Sequence, residues 1–218
     1  MIALENVTKC YRVKGETKSV LRGITYTFET GRNIGILGAN GAGKSTLMRL
    51  MDGTLDPTSG RVRRHGRISR LGIAHGFHGS LTGAENVRFV SRIYGQDYHD
   101  ILSYVADFAE LGDDLFMPVK TYSSGMAARL KLGLSFAMRF DMYLIDEGTS
   151  AGDQRFQERC LHEIKNRLQT SDFIVVSHNG SSLKQWCTHA IILHNGIISE
   201  LMPLHDATLI YRKLLGLP

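Results

Sequence analysis

The chain has 218 residues, 43% of them hydrophobic, which is enough to bury the core of one large domain, or of a core with a subdomain, without a metal or disulfide staple. Its net charge of +5 leaves nucleic acid open as a partner. Three scattered cysteines without C-x-x-C spacing argue against a disulfide framework or a zinc site and favour the cytosol. The acidic Glu5 argues against a signal peptide and no apolar run is long enough to cross a bilayer, so we expect the chain to be soluble by itself.

The N-terminal part of the chain predicts short strands in an antiparallel arrangement. Ile2 to Val7 and Val20 to Phe28 are rich in apolar residues and are separated by glycine turns. The basic stretch from Arg61 to Arg67 allows two interpretations, a nucleic-acid face or a solvated, hairpin-like segment beside a membrane or a phosphate ligand. No aromatic residues interleave with these arginines to stack on bases, so we favour the hairpin.

A glycine-rich loop joins the apolar run Ile34 to Leu37 to a segment with helical spacing, which is the context of a P-loop. In such loops the backbone N–H groups turn towards phosphate oxygens, a lysine adds positive charge, and a serine hydroxyl ligates Mg²⁺. The spacing gives these last two roles to Lys44 and Ser45. The residues predicted to bind a nucleoside triphosphate are Gly38, Ala39, Asn40, Gly41, Ala42, Gly43, Lys44, Ser45 and Thr46.

Beyond the P-loop the pattern becomes helical from about Leu81 to Phe140, which predicts a helical subdomain. Two candidates for buried strands follow, Met142 to Ile145 and Phe173 to Val176, separated by a polar helical stretch. This order predicts a parallel βαβ unit. Closer to the C-terminus, Asn195-Gly196 lies between apolar runs and predicts a hairpin.

Polar residues at the ends of the two predicted parallel strands suit a hydrolytic site. Asp146 and Glu147 follow the first strand, where one carboxylate would hold Mg²⁺ and the other would polarise the attacking water as a general base. His178 follows the second strand, where open α/β sheets bind ligands, and it is placed to hydrogen-bond a γ-phosphate. In the helical region Ser123 and Gly125 begin a helix whose N–H groups suit an anion, although such a start is also an ordinary cap.

In chain order, these segments resemble the motifs of the ATP-binding cassette family. Gly38 to Ser45 matches its Walker A motif, and Met142 to Glu147 matches its Walker B motif with the catalytic glutamate. Tyr122 to Met126 is similar to the LSGGQ signature in a degenerate form that keeps the serine and the last glycine. The segment Ser150-Ala151-Gly152-Asp153 is similar to the D-loop, with Asp153 as its aspartate, and His178 matches the switch histidine.

The resemblance implies two further ligand contacts. Tyr11 falls where the family stacks an aromatic side chain on adenine. His78 falls in the loop that enters the helical subdomain, where most cassettes place a glutamine that contacts Mg²⁺ or the water. A neutral imidazole can form one hydrogen bond in that role, whereas an imidazolium near Mg²⁺ is unfavourable.

The resemblance also implies the fold class, which is an α/β P-loop NTPase with a RecA-like core, an antiparallel β subdomain and a helical subdomain. Residues 1–80 and 141–218 would form the core and β subdomain, and residues 81–140 the helical subdomain. Two copies would sandwich two ATP molecules, so that Ser123 and Gly125 of one copy act on the nucleotide held by the other. The implied catalytic residues are Glu147, His178 and Lys44, and the implied Mg²⁺ ligands are Ser45 and Asp146.

Within the family the chain is most similar to nucleotide-binding subunits of capsular-polysaccharide exporters of Gram-negative bacteria. The segments that carry this similarity are Gly76 to Gly83, Arg92 to Gly95, Thr121 to Met126, and Asp146-Glu147 with Gly152-Asp153 downstream. The implied partners are a second copy of the chain and integral-membrane permease subunits, with no nucleic acid. The implied location is peripheral, at the cytoplasmic face of the inner membrane, with the permease expected to contact the region His78 to Asn86.

Other functions are weighed against this one. A cassette ATPase of DNA repair or chromosome organisation would suit the basic stretch, but such proteins insert a long coiled coil between Walker A and the signature, where this chain has only about eighty residues and no sustained heptads. A GTPase would carry Asn-Lys-x-Asp, which is absent, and a small-molecule kinase would leave the signature unexplained. The intact Asp146-Glu147 pair disfavours a nonhydrolysing regulatory module. Export of O-antigen or of a polyol phosphate stays an alternative, because the sequence contains no segment that identifies the exported polymer.

Overall fold

The computed structural model describes residues 1–13, 15–72, 77–146 and 153–216. The chain divides into two compact units. The first unit comprises Met1–Ile68, Asp141–Glu147 and Ser171–Pro218, and the second comprises Ser69–Phe140 and Gly148–Thr170.

Strands dominate the first unit and helices the second. The strands are β1 (Ile2–Val13), β2 (Glu16–Phe28), β3 (Ile34–Leu37), β4 (Ser59–Arg64), β5 (Ile68–Arg70), β6 (Met142–Asp146), β7 (Asp172–Ser177), β8 (His189–His194), β9 (Ile197–Ile198) and β10 (Met202–Pro203). The helices are α1 (Lys44–Met51), α2 (Gly83–Tyr94), α3 (Tyr98–Ala109), α4 (Ser124–Ala137), α5 (Gln154–Arg167), α6 (Gly180–Leu183) and α7 (Leu204–Leu214). No helix built from the described residues combines the length and the apolar character needed to cross a bilayer.

Two sheets organise the first unit. In the smaller sheet, β1 lies between β2 and β4 and is antiparallel to both. In the larger sheet, β10, β8, β3, β7 and β6 follow one another in that order. Strand β3 is parallel to both of its neighbours, and β7 is parallel to β6. These pairings confirm the predicted antiparallel segment and the predicted parallel βαβ unit.

Strand β3 is apolar because it lies in the middle of the larger sheet. All four of its residues are buried, and Ile34 and Ile36 belong to a core cluster that also contains residues of β1 and α1. A parallel strand covered on both faces is expected to be a continuous apolar run. This burial fixes the carboxyl end of β3, from which the glycine-rich loop departs.

The predicted hairpin near the C-terminus is confirmed. Asn195 has φ 50° and Gly196 has φ 78°, so both central residues adopt the left-handed conformation that a tight two-residue hairpin turn requires. The flanking strands pair antiparallel, with Leu193 opposite Ile198.

The basic stretch does not form the hairpin-like segment favoured from the sequence, because its strand β4 lies at the edge of the smaller sheet with β1 as its neighbour. Strand β4 pairs with β1, and Arg63 forms an ion pair with Glu5 at 2.7 Å. The guanidinium of Arg64 donates hydrogen bonds to the carbonyls of Leu50 at 2.5 Å and Met51 at 3.0 Å, at the C-terminus of α1. At least two of these arginines therefore have structural partners.

The second unit begins at Ser69 and includes α5, whereas the sequence predicted a helical subdomain over residues 81–140. Contacts with distant residues explain why α5 groups with the helices before it: the buried ring of Phe156 packs edge-on against Phe108 of α3, with the ring centroids 5.4 Å apart. Arg159 of α5 forms ion pairs with Asp107 and Glu110 at the end of α3. Partners so far apart along the chain give no local sequence signal.

The three cysteines are free thiols. Burial raises the pKa of Cys160 to about 11 and that of Cys187 to about 12, so both stay protonated at neutral pH.

Candidate nucleotide-binding site

The glycines of the predicted P-loop are required by the fold around them. Gly43 has φ 105°, and a Cβ at this position would lie 3.1 Å from the side chains of Val20 and Leu21 in β2. A Cβ at Gly38 would lie 2.8 Å from the carbonyl oxygen of Leu193. Gly41 also has a left-handed φ, of 80°, but a Cβ there would point into open space. The loop is thus packed on its inner side and open on the side where a ligand can approach.

Helix α1, like α7, begins without a side-chain cap. Its N-cap residue is Gly43, no side chain accepts a hydrogen bond from its first turn, and that turn contains no acidic residue. By contrast, side chains cap α2, α3, α4 and α5. An uncapped N-terminus presents N–H groups and the positive end of the helix dipole, which suits a phosphate.

Lys44 adds a positive charge at this mouth. Its ammonium donates hydrogen bonds to the carbonyl oxygens of Gly38 at 2.6 Å and Ala39 at 3.0 Å, so the side chain curls back over the loop. Ser45 follows in the first turn of α1 with its side chain exposed. The arrangement of ammonium, backbone N–H groups and hydroxyl fits a triphosphate and its metal ion.

Strand register brings two further predicted residues to the same edge of the sheet. The amide of Gly38 donates to the carbonyl of Ser177 at 3.2 Å, so His178 begins the loop beside the P-loop. Asp146 lies opposite Val176 one strand further out. Two strand spacings separate Asp146 from the P-loop strand, about 10 Å. Exposed His178 and partly exposed Asp146 both lie at the carboxyl edge from which the P-loop departs.

A hydroxyl and a carboxylate are the hard oxygen ligands that Mg²⁺ prefers, so Ser45 and Asp146 fit the ion chemically. Glu147, the predicted general base, follows Asp146 directly and lies outside the described residues. So do Gly76 and the D-loop residues 150–152.

The predicted adenine contact, Tyr11, lies on the β1–β2 hairpin. It is partly exposed, pairs with Lys18 and has the ammonium of Lys9 5.4 Å from its ring centroid. The same hairpin contacts the P-loop through Val20, two residues further along β2 from Lys18. Tyr11 therefore lies on the same hairpin as the residue that contacts the P-loop, and its strand partner Lys18 is two residues from that contact.

The signature residues begin α4 in the second unit. The hydroxyl of Ser123 accepts a hydrogen bond from the amide of Met126 at 3.2 Å, so it acts as an ordinary helix cap as well as a candidate ligand. Gly125 is different, because its φ is not left-handed and a Cβ would meet only the Ser123 hydroxyl, at 3.9 Å. Nothing within the described chain requires glycine there.

Asp153 is tied to the signature helix within the second unit. Its carboxylate accepts a hydrogen bond from the amide of Phe156 at 2.9 Å, capping α5, and forms an ion pair with Arg129 of α4 at 2.6 Å. The hydrogen bond from the amide of Phe156 lowers the pKa of Asp153, and the positive charge of Arg129 lowers it further. Arg129 therefore links Asp153, the predicted D-loop aspartate, to the helix that begins at the predicted signature.

The sequence did not identify the residue that holds the His78 loop. Asn86 is fully buried on α2, and its side-chain oxygen accepts from the amide of His78 at 2.7 Å. Its side-chain nitrogen donates to the carbonyls of His78, Leu81 and Thr82. In the sequence, the only indication of this role is an asparagine near the start of a predicted helix. Its burial and its hydrogen-bond partners are known only from the structure. His78 itself is exposed.

Known proteins resemble the chain over almost its full length. A family model described as ABC transporter matches residues 21–150. ATP-binding protein BexA of Haemophilus influenzae is 44% identical over 98% of this chain and 99% of its own length. Capsule polysaccharide export ATP-binding protein CtrD of Neisseria meningitidis is 43% identical over 98% of this chain and 100% of its own. Polysialic acid transport ATP-binding protein KpsT of Escherichia coli is 45% identical over 91% of this chain and 90% of its own.

Solved structures agree on the fold. The ATP-binding cassette MJ0796, in a dimeric post-hydrolysis state bound to ADP and Pi, superposes with a TM-score of 0.77 at 21% identity, covering 94% of this chain and 99% of that one. An ATP binding subunit of an ABC transporter superposes with a TM-score of 0.78 at 20% identity, covering 100% and 94%. These likenesses confirm the predicted P-loop NTPase fold. With a family model that covers more than half of the chain and relatives above 40% identity, the chain belongs to the ABC transporter family.

Proposed function

We propose that the chain is the ATP-hydrolysing subunit of an exporter that moves capsular or other cell-surface polysaccharide across the inner membrane. The observation that carries the ATPase part is the uncapped start of α1, where the glycine loop and the Lys44 ammonium face an opening of the right chemistry for phosphates.

The residues take the following roles in hydrolysis. The loop amides and Lys44 bind the phosphates, and Tyr11 stacks on the adenine. Ser45 and Asp146 hold Mg²⁺, which supplies charge neutralisation for the phosphoryl oxygens. Glu147 orients the water and accepts its proton, and His178 hydrogen-bonds the γ-phosphate. His78 takes the place of the glutamine that contacts the ion or the water in most members of the family.

The signature residues act on the nucleotide held by a second copy. Ser123 is exposed, and Gly125 is a glycine that its own helix does not need, which supports a contact from outside the chain. A dimeric cassette among the similar structures supports the same arrangement. An isolated subunit is therefore expected to hydrolyse ATP slowly, with the rate rising as the square of its concentration at low concentrations.

The relatives support the choice of cargo class and location. Their names describe capsule polysaccharide export and polysialic acid transport, and the two alignments cover 98% and 91% of this chain. We place the chain at the cytoplasmic face of the inner membrane, bound to an integral-membrane permease. Phe89 and Ile93, on exposed positions one turn apart on α2, are candidates for permease contacts beside the region His78 to Asn86.

Hydrolysis is tested with purified chain and MgATP, measuring phosphate release. Wild type is expected to release phosphate, and Lys44→Ala to reduce the rate by about 100-fold or more because the phosphates lose a charge-assisted contact. Equal rates for the two proteins would contradict the assignment of the P-loop.

Transport coupling is tested by purifying the tagged chain from detergent-solubilised membranes of its own organism. An integral-membrane subunit is expected to copurify in a one-to-one ratio. Copurification with DNA-bound proteins alone would instead favour the cassette ATPases of DNA repair.

A further inference from the structure

A cavity lies in the first unit, at the opposite end of the larger sheet from the P-loop. It has a volume of about 440 Å³ and is lined by Arg32, Asn33, Ile34, Trp186, Thr188 and His189, with the backbone of Gly31. Ile34 and His189 face each other as the first residues of β3 and β8. The P-loop follows the last residue of β3, so the length of that strand, roughly 13 Å, separates the two sites.

The side chains of this cavity offer hydrogen-bond donors that the protein does not use. Within the described part of the chain, neither the guanidinium of Arg32 nor the indole N–H of Trp186 donates a hydrogen bond, and Arg32 has no carboxylate at ion-pair distance. Thr188 Oγ1 and His189 Nδ1 lie 2.9 Å apart, which orients the imidazole. The nearby carboxylate of Asp172 is already held by the amide of Gly31, at 2.8 Å.

The cavity lining also includes Trp186, an aromatic side chain that can contact a flat ring. A tryptophan face stacks on planar ligands, and a guanidinium binds carboxylate or phosphate oxygens in a fork. The volume lies in the range of small-molecule pockets, about 300–1,000 Å³. An inorganic ion would leave the Trp186 wall without a contact, and a polymer would exceed the volume.

We propose that this cavity is a second ligand site, which binds a small organic anion that carries a flat ring. Arg32 binds the anionic group, His189 and Thr188 add hydrogen bonds to it, and Trp186 stacks on the ring. The site is separate from the ATP site, and it stands whether or not the exporter assignment holds. The anionic group is a carboxylate or a phosphate, which Arg32 recognises by the same chemistry.

The position of Trp186 provides a direct test, because it is the only tryptophan of the chain. Tryptophan fluorescence of the full chain is measured during titration with benzoate, with phenyl phosphate and with benzamide, which has the shape of benzoate but no charge. We expect a saturable change with at least one of the two anions below about 10 mM and none with benzamide. The tighter of the two anions identifies the anionic group.

Variants locate the binding. Arg32→Gln is expected to weaken binding about 10- to 100-fold, because it removes a charge-assisted contact. Arg61→Gln, which removes another exposed arginine, on β4, is expected to leave the affinity unchanged. Lys44→Ala, a change in the P-loop, is also expected to leave it unchanged. Calorimetry with Trp186→Ala checks the result without fluorescence and should give at least a tenfold loss of affinity.

Three results would overturn the proposal. They are the absence of a saturable change with both anions, equal affinity for wild type and Arg32→Gln, and loss of the signal in Lys44→Ala, which would place the anion at the P-loop.

Discussion

At the scale of single residues, a substitution at Gly125 distinguishes a structural role of this glycine from a ligand-binding role. Its helical φ and the free space around its Cα allow an alanine. Gly125→Ala is therefore expected to leave the free energy of unfolding unchanged or to raise it by up to about 1 kcal/mol. If the glycine backbone approaches ATP on a second copy, the same variant loses most of its ATPase activity. Urea denaturation and phosphate release measure the two effects, and full activity in Gly125→Ala would contradict the signature assignment.

Asn86 is the residue whose loss should disturb the His78 loop most. Its side chain forms four hydrogen bonds in a fully buried position, so Asn86→Ala leaves the amide of His78 and nearby carbonyls without partners. We expect a loss of about 2–4 kcal/mol in the free energy of unfolding. The matched control is Asn166→Ala on the exposed surface of α5, expected within about 0.5 kcal/mol of wild type. Similar values for the two variants would show that the loop does not depend on Asn86.

At the scale of elements, two neighbouring arginines of β4 make different contributions. Arg64 donates to the last carbonyls of α1, the helix that carries Lys44, whereas Arg63 forms an exposed ion pair with Glu5. We expect Arg64→Ala to lower the free energy of unfolding by about 2 kcal/mol and Arg63→Ala by less than about 1 kcal/mol. Thermal and urea denaturation measure the difference. If Arg63→Ala costs as much as Arg64→Ala, the bonds to α1 are not the cause.

At the scale of the whole molecule, the parts that the sequence predicted are those with local causes. The burial of β3 gives a continuous apolar run, and the left-handed turn at Asn195 needs residues of a particular type, so both leave a local pattern. The grouping of α5 with the second unit rests on contacts between residues more than forty positions apart, such as Phe156 with Phe108 and Arg159 with Asp107. The cavity beside Trp186 likewise arises where the start of β3 meets the start of β8. Contacts between residues so far apart along the chain leave no periodic pattern in the sequence, so they could not be predicted from it.

The central claim is that the P-loop forms half of a site that a second copy completes. It is tested most directly by the mass of Glu147→Gln in solution with MgATP, measured by light scattering after size-exclusion chromatography. If Glu147 is the general base, this variant binds ATP without hydrolysing it. We then expect a species of twice the monomer mass of 24.3 kDa with ATP, and monomer with ADP or in Glu147→Gln combined with Gly125→Ala. A monomer at saturating MgATP would contradict the account.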